Sequence, residues 1–166
     1  SEAVYNTNGA SGALEASDFY FAISGGSAGL SSSTPTSISA SGNVYTLGIS
    51  LNAAPNGAEI LSVTPIENAI YDAVGNVAST TQSNNTATLK DKVAATIAGV
   101  SLAADNGTIA VTMSEAVYNT NGGSGALEAS DFVFALSGGT ATLSATTPTS
   151  ISASGNVYTL GIGLSG

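Results

Sequence analysis

Val44-Tyr45-Thr46-Leu47-Gly48-Ile49-Ser50-Leu51 alternates apolar with small or polar residues at a period of two. Successive side chains of an extended backbone point to opposite faces, so this period marks a strand with one buried face. Tyr45, Leu47, Ile49 and Leu51 share the face that seeks a core. Ser41-Gly42-Asn43 precedes the run, and Gly and Asn supply the positive φ that a tight hairpin turn requires. Residues 157–164 carry the same alternation behind an identical Ser154-Gly155-Asn156.

That second copy belongs to a longer repetition. Residues 1–53 return as residues 114–166, an offset of 113, with 43 aligned positions identical. The largest change is Tyr20 to Val133. A period of about one domain reads as an array of similar modules rather than a solenoid of short repeats. The 166 residues hold about one and a half periods. This predicts a structural or adhesive polymer rather than a self-contained enzyme.

Other segments agree. Thr108-Ile109-Ala110-Val111-Thr112-Met113 alternates with Ile109, Val111 and Met113 on one face. Further strands are predicted at 19–23, 36–40, 59–64, 85–89 and 97–102, and one helical turn at most within 12–19. Seven or so short strands per period, with turns every 8–12 residues, read as an antiparallel β-sandwich. Charged residues are 8% of the chain, too few for the solvated face of long helices. The boundary between modules is read at residues 90–96, where both lysines, Lys90 and Lys92, flank Asp91. Residues 1–89 then hold the late strands of one module and residues 97–166 the early strands of the next.

Eleven Asp and Glu against two Lys and Arg give a formal charge of −9. Nucleic acid and anionic membrane surfaces are poor partners for such a chain, because binding them needs clustered cations. Divalent cations are the natural counter-ions. With no Cys and no His, there is neither a disulfide framework nor a thiolate or imidazole site. No apolar run approaches the roughly 20 residues of a membrane-spanning helix. Gly25-Gly26-Ser27-Ala28-Gly29 matches the nucleophile-elbow pattern formally. An elbow needs a strand-to-helix turn and a His base, and the second copy, Gly138-Gly139-Thr140-Ala141-Thr142, breaks the pattern. An ordinary Gly-rich loop is the reading adopted, and no catalytic residue is assigned.

The order Gly-Val-Ser-Leu (99–102), Thr-Ile-Ala-Val-Thr-Met-Ser-Glu-Ala-Val (108–117), Ala-Ser-Asp-Phe (129–132) and Asn-Val-Tyr-Thr-Leu (156–160) carries a family likeness. Ile70-Tyr71-Asp72-Ala73-Val74-Gly75-Asn76 extends it in the preceding module. The pattern resembles the bacterial immunoglobulin-like repeats of giant extracellular adhesins and cell-surface proteins, with Met113 in place of the usual aromatic before Ser-Glu. The resemblance implies an all-β fold of tandem Ig-like antiparallel β-sandwich modules with a 113-residue period. It also implies a secreted or cell-surface location, and leaves the ligand open.

Strand parity carries Ile109, Val111 and Met113 on to Glu115, and a carboxylate facing inward at a strand end needs a partner. In an Ig-like module the loop opened by Glu115 closes at the same end as residues 70–76. The resemblance therefore brings Glu2, Asp18, Asp72 and Asn76 toward one another in the first module, with Asn6, Asn8 and Glu15 in the same long loop. Glu115, Glu128 and Asp131 are the counterparts in the second. Such oxygen-only ligands suit Ca²⁺, which takes six to eight oxygens in flexible geometry. The competing reading makes these carboxylates turn caps that accept nearby amides. Tyr45 and Tyr158 share parity with core residues and are predicted to be buried; Tyr5 and Tyr118, in the long loop, are the better candidates for an exposed adhesive or sugar-stacking surface, with a core or loop-anchor role as the leading reading.

The expected function is a non-catalytic structural repeat of an extracellular adhesin, stalk or filament. Its partners would be neighbouring modules or copies of itself, head to tail, including completion of one chain's strands by another's. A glycan- or protein-binding adhesion module, or an accessory repeat of a secreted hydrolase, is the alternative.

Overall fold

The computed structural model describes residues 2–165. Ser1 and Gly166, the outermost residues of the repeat alignment, lie outside the described residues. The chain divides into two compact units, Ser1–Val93 and Ala94–Gly166. Among the described residues both are built of short antiparallel strands, with one 3-10 turn each, so the fold is all-β.

In the first unit the strands are β1 (Val4–Tyr5), β2 (Phe19–Ser24), β3 (Ile38–Ser41), β4 (Val44–Leu47), β5 (Ile60–Pro65), β6 (Tyr71–Asp72) and β7 (Thr86–Thr88). They pair as β2-β5-β7, β3-β4 and β1-β6. The predicted turn within 12–19 is the 3-10 turn Ala16–Asp18, which runs straight into β2. Leu14, Phe21, Leu61 and Ile70 form the buried apolar core. Phe21 and Leu61 reach it from one face of the β2–β5 ladder, where Phe21 stands opposite Val63 and Leu61 opposite Ile23.

In the second unit the strands are β8 (Ile97–Leu102), β9 (Thr108–Met113), β10 (Thr142–Leu143), β11 (Ile151–Ser154), β12 (Val157–Gly161) and β13 (Leu164–Ser165). They pair as β11-β12-β9-β8 and β10-β13. The β8–β9 hairpin closes on Asp105-Asn106-Gly107. Asn106 takes φ 60°, and the Asp105 side chain accepts the Gly107 N–H at 2.9 Å. Val111, Tyr158 and Leu160 form the core, with Ile109, Met113, Phe132 and Phe134 packed against it.

The eight-residue strand expected at 44–51 is two pieces. The β3–β4 ladder ends at Gly48, which exchanges backbone bonds with Thr36 and Ser37 at 3.0 and 2.9 Å. A Cβ on Gly48 would run into the Ser37 and Thr36 hydroxyls. Beyond it the chain changes partner, and Ser50 and Asn52 bond to Ser31 and Gly29. The sequence keeps its period of two across the switch, so periodicity does not mark the break, but beyond it Ile49 is 44% exposed rather than turned to a core.

The repeat places near-identical sequences in two settings. Val-Tyr-Thr-Leu in β4 has one neighbour, β3, whereas in β12 it lies between β11 and β9. Tyr158 and Leu160 are accordingly only 7% and 1% exposed, while Tyr45 and Leu47 are half-buried. The converse holds for residues 19–24 and 132–137. In the first unit they form β2 against β5; in the second they form no strand, and Val133 and Leu136 are exposed.

Truncation tests this difference. Leu160→Ala should destabilise the second unit by about 2–5 kcal/mol, the range for a buried Leu. Leu47→Ala should cost the first unit clearly less. Urea unfolding of the full chain, followed through amide signals of each unit, reads both.

Candidate functional site

The most fully enclosed ionisable group is Glu59, 0% exposed at the head of β5. Its carboxylate is wrapped in backbone N–H groups. Ser27 and Ala28 donate to Oε1 at 2.7 and 2.9 Å, and Asn56 at 3.1 Å. Gly57 donates to Oε2 at 3.1 Å. Two loops far apart in sequence thus converge on one side chain. Gly25 and Gly26, at φ 74° and 62°, turn the first loop so that its amides face inward. A Cβ on Gly26 would strike the Glu59 carboxyl, and one on Gly25 would lie 2.6 Å from the Ala58 carbonyl oxygen.

Burial alone would push the Glu59 carboxyl up. The amides of Ala28, Asn56, Glu59 itself and Ser27 outweigh that and hold it at about 2, against an ordinary 4.5. The Gly25–Gly29 segment is therefore an amide cradle. No helix follows it, and the Ser27 hydroxyl lies 3.4 Å from the Ala54 carbonyl and 3.5 Å from Glu59 Oε1. Sequence reasoning passed over Glu59. Its available signal was the Gly-Gly pair together with Asn56-Gly57 just before it.

The carboxylates singled out from the sequence are placed as follows. β1 pairs with β6, Val4 opposite Asp72, which brings the segment after Glu2 alongside residues 70–76. A Cβ on Gly75 would lie 2.6 Å from Asn8 Oδ1, so that loop also abuts them. Asp72, however, spends its oxygens on its own turn. Oδ1 accepts the Val74 and Asn76 amides at 2.9 and 2.8 Å, and Oδ2 accepts Asn76 Nδ2 at 2.7 Å. The Asn76 side chain, then its amide, hold the Asp72 carboxyl below its usual range.

Asp18 accepts the Glu15 N–H at 2.7 Å, and Asp131 the Glu128 N–H at 2.8 Å, each in a capping box that starts a 3-10 turn. Glu2 is exposed and Glu115 half-buried. Among the described residues, no three Asp, Glu, His or Cys side chains are grouped so as to hold a metal ion. Of the tyrosines, Tyr158 is buried, as expected, and Tyr118 is 51% exposed. Tyr5 and Tyr45 are both half-buried. Tyr71 donates its hydroxyl to the Asn68 carbonyl at 2.8 Å.

No protein-family model, curated protein or solved structure matches the chain.

Two outcomes follow from these bonds. The folded Glu59 carboxyl sits below its unfolded value, so its contribution is fully present above about pH 4.5 and is lost as pH falls toward 2. Asp72 acts in the same direction. The melting temperature of the first unit should drop across that window. Glu59→Gln should melt lower at pH 7 and respond more weakly to acid, as read by circular dichroism at a series of pH values. Asp18, Asp72 and Asp131 already serve as acceptors, so melts with Ca²⁺ and with chelator should share one midpoint. A rise with Ca²⁺ would show that these carboxylates exchange amides for the ion.

Proposed function

We propose that this chain is a structural repeat of an extracellular adhesin, stalk or filament, whose work is to extend reach rather than to transform a substrate. The observation that carries the reading is the 113-residue period written into both sequence and local structure. Residues 15–18 and 128–131 form the same capped 3-10 turn, with cap dihedrals of −114° and 164° in both. The hairpins β3–β4 and β11–β12 pair in the same register. A sequence that reproduces one supersecondary unit at domain-sized intervals is suited to serial stacking, where stability is the sum of each unit and its nearest neighbours.

The carboxylate chemistry fits this role. Glu59, Asp72, Asp18 and Asp131 all act as staples that fix loops by accepting backbone amides. Loops held this way cost little further ordering entropy when load is applied. The charge of −9 keeps an array soluble through self-repulsion.

Chains lengthened by one, two and three further periods test the proposal by small-angle X-ray scattering. The longest dimension should grow in proportion to the number of periods. A dimension that grows only as the cube root of mass would mean that the modules collapse together, and the reading would fail.

A further inference from the structure

The segment that joins the two units is tied down on both sides of their boundary. Leu89 donates its N–H to the Glu59 carbonyl at 2.9 Å, and Lys92 donates to the Pro55 carbonyl at 2.8 Å. The Asp91 side chain accepts the Val93 N–H at 2.8 Å and so turns the backbone there. Gly57, at φ 83°, passes so close that a Cβ on it would lie 3.3 Å from Asp91 Cβ. Beyond the boundary, Thr96 donates its N–H to Ser114 Oγ at 2.9 Å, and Ser114 returns its N–H to the Thr96 carbonyl at 2.8 Å. Between the two ties lie only Ala94 and Ala95.

The surface that receives residues 89–93 is the 55–59 loop, whose shape depends on the Glu59 carboxylate. Asn56 and Gly57 donate into that carboxylate, and Asn56 Oδ1 accepts the Ala58 N–H at 3.1 Å. Pro55 and Glu59, which supply the two carbonyls that hold the joining segment, are both buried. Amide–carboxylate bonds are about twice as strong as neutral ones. The joining segment has only neutral bonds to the loop, and residues 90–93 are all exposed. Local opening starts where backbone bonds are few and open to solvent. This segment therefore lifts before the loop beneath it does.

We propose that residues 89–93 are a releasable strap, seated on the Glu59 loop to keep the joint short and lifted from it to lengthen the joint. The inference deepens the structural-repeat reading and rests on it for the source of load. Seated, the strap leaves two free residues between the ties. Lifted, it leaves seven, 89 to 95, and the reach grows from about 7 Å to about 24 Å at roughly 3.3–3.6 Å per residue. Load drawn from the second unit meets the strap before it meets β7, because the strap lies between them in the chain. Glu59 acts here as a positioning residue, through the loop that it shapes.

Trypsin reads the strap directly. Its only two sites in the chain, the Lys90–Asp91 and Lys92–Val93 bonds, lie within it. Where opening and closing are fast, cleavage follows the population of the open form. Glu59→Gln keeps the backbone carbonyl of residue 59 but turns an NH₂ group toward amides that need an acceptor, which loosens the loop. Asp72→Asn weakens the same unit at its own 72–76 turn. Full-length chains are digested at temperatures equally far below their own melting points, and intact mass is followed with time. Glu59→Gln should be cut several-fold faster than Asp72→Asn, and equal rates would overturn the proposal.

A second pair keeps the test decisive should Glu59→Gln fail to fold. Gly57→Cys with Asp91→Cys places two thiols close to the Cβ separation of about 3.5–4.5 Å that a disulfide adopts, in a chain with no other Cys. Oxidised, the strap is pinned, and trypsin should cut several-fold more slowly than in the same chain reduced. Matching rates would sink the idea. Strap-dependent cleavage without linear growth of lengthened chains would keep the strap and remove the array. Linear growth with strap-independent cleavage would remove the strap alone.

Discussion

A buried carboxylate surrounded by backbone amides organises the first unit. Glu59 stands just before β5 and draws the loop after β2 onto the loop before β5, which locks the Ser24/Ile60 end of that strand pair. A charge taken out of water is costly unless its lone pairs are filled, and here four main-chain donors fill them. The same contacts explain why Gly25 and Gly26 precede Ser27. Only a backbone free to take positive φ, with no side chain in the way, brings the Ser27 and Ala28 amides inward together. In the second unit the matching Gly138 and Gly139 meet nothing within 4 Å.

The repeat turns the molecule into its own control. Near-identical residues lie in two environments, and their burial follows their neighbours rather than their sequence. Leu160 is sealed between strands while Leu47 is half-open; Phe21 is buried while Phe134 is partly so. Strand character itself follows the partner. Residues 19–24 are a strand opposite β5, and residues 132–137, differing only by Tyr20 to Val133 and Ile23 to Leu136, are not. This is the context dependence expected of β structure, where cross-strand pairing is the unit of stability.

Much of the fold was legible because alternation maps directly onto a half-buried strand. Ile97–Leu102 and Thr108–Met113 fall where the pattern puts them, and the capped turn before Phe19 follows from Glu15-Ala16-Ser17-Asp18. The meeting of residues 2–8 with residues 70–76 was likewise anticipated, and β1 pairs with β6. What side chains do at that meeting was not legible. Whether Asp72 turns to Asn76 or outward is decided by local geometry within four residues. Glu59 was hidden for a different reason: its donors Ser27 and Ala28 lie 32 and 31 residues away. A single Glu among small residues gives no periodic signal.

Lys90 and Lys92 are the chain's only cationic side chains, and both are exposed just before the boundary between Val93 and Ala94. An endopeptidase that cleaves after lysine or arginine would thus find its whole choice of bonds at the seam, and none within the strands of either unit. That distribution confines such cleavage to the segment at the boundary of the two units. A chain cut there would keep every strand of both units whole.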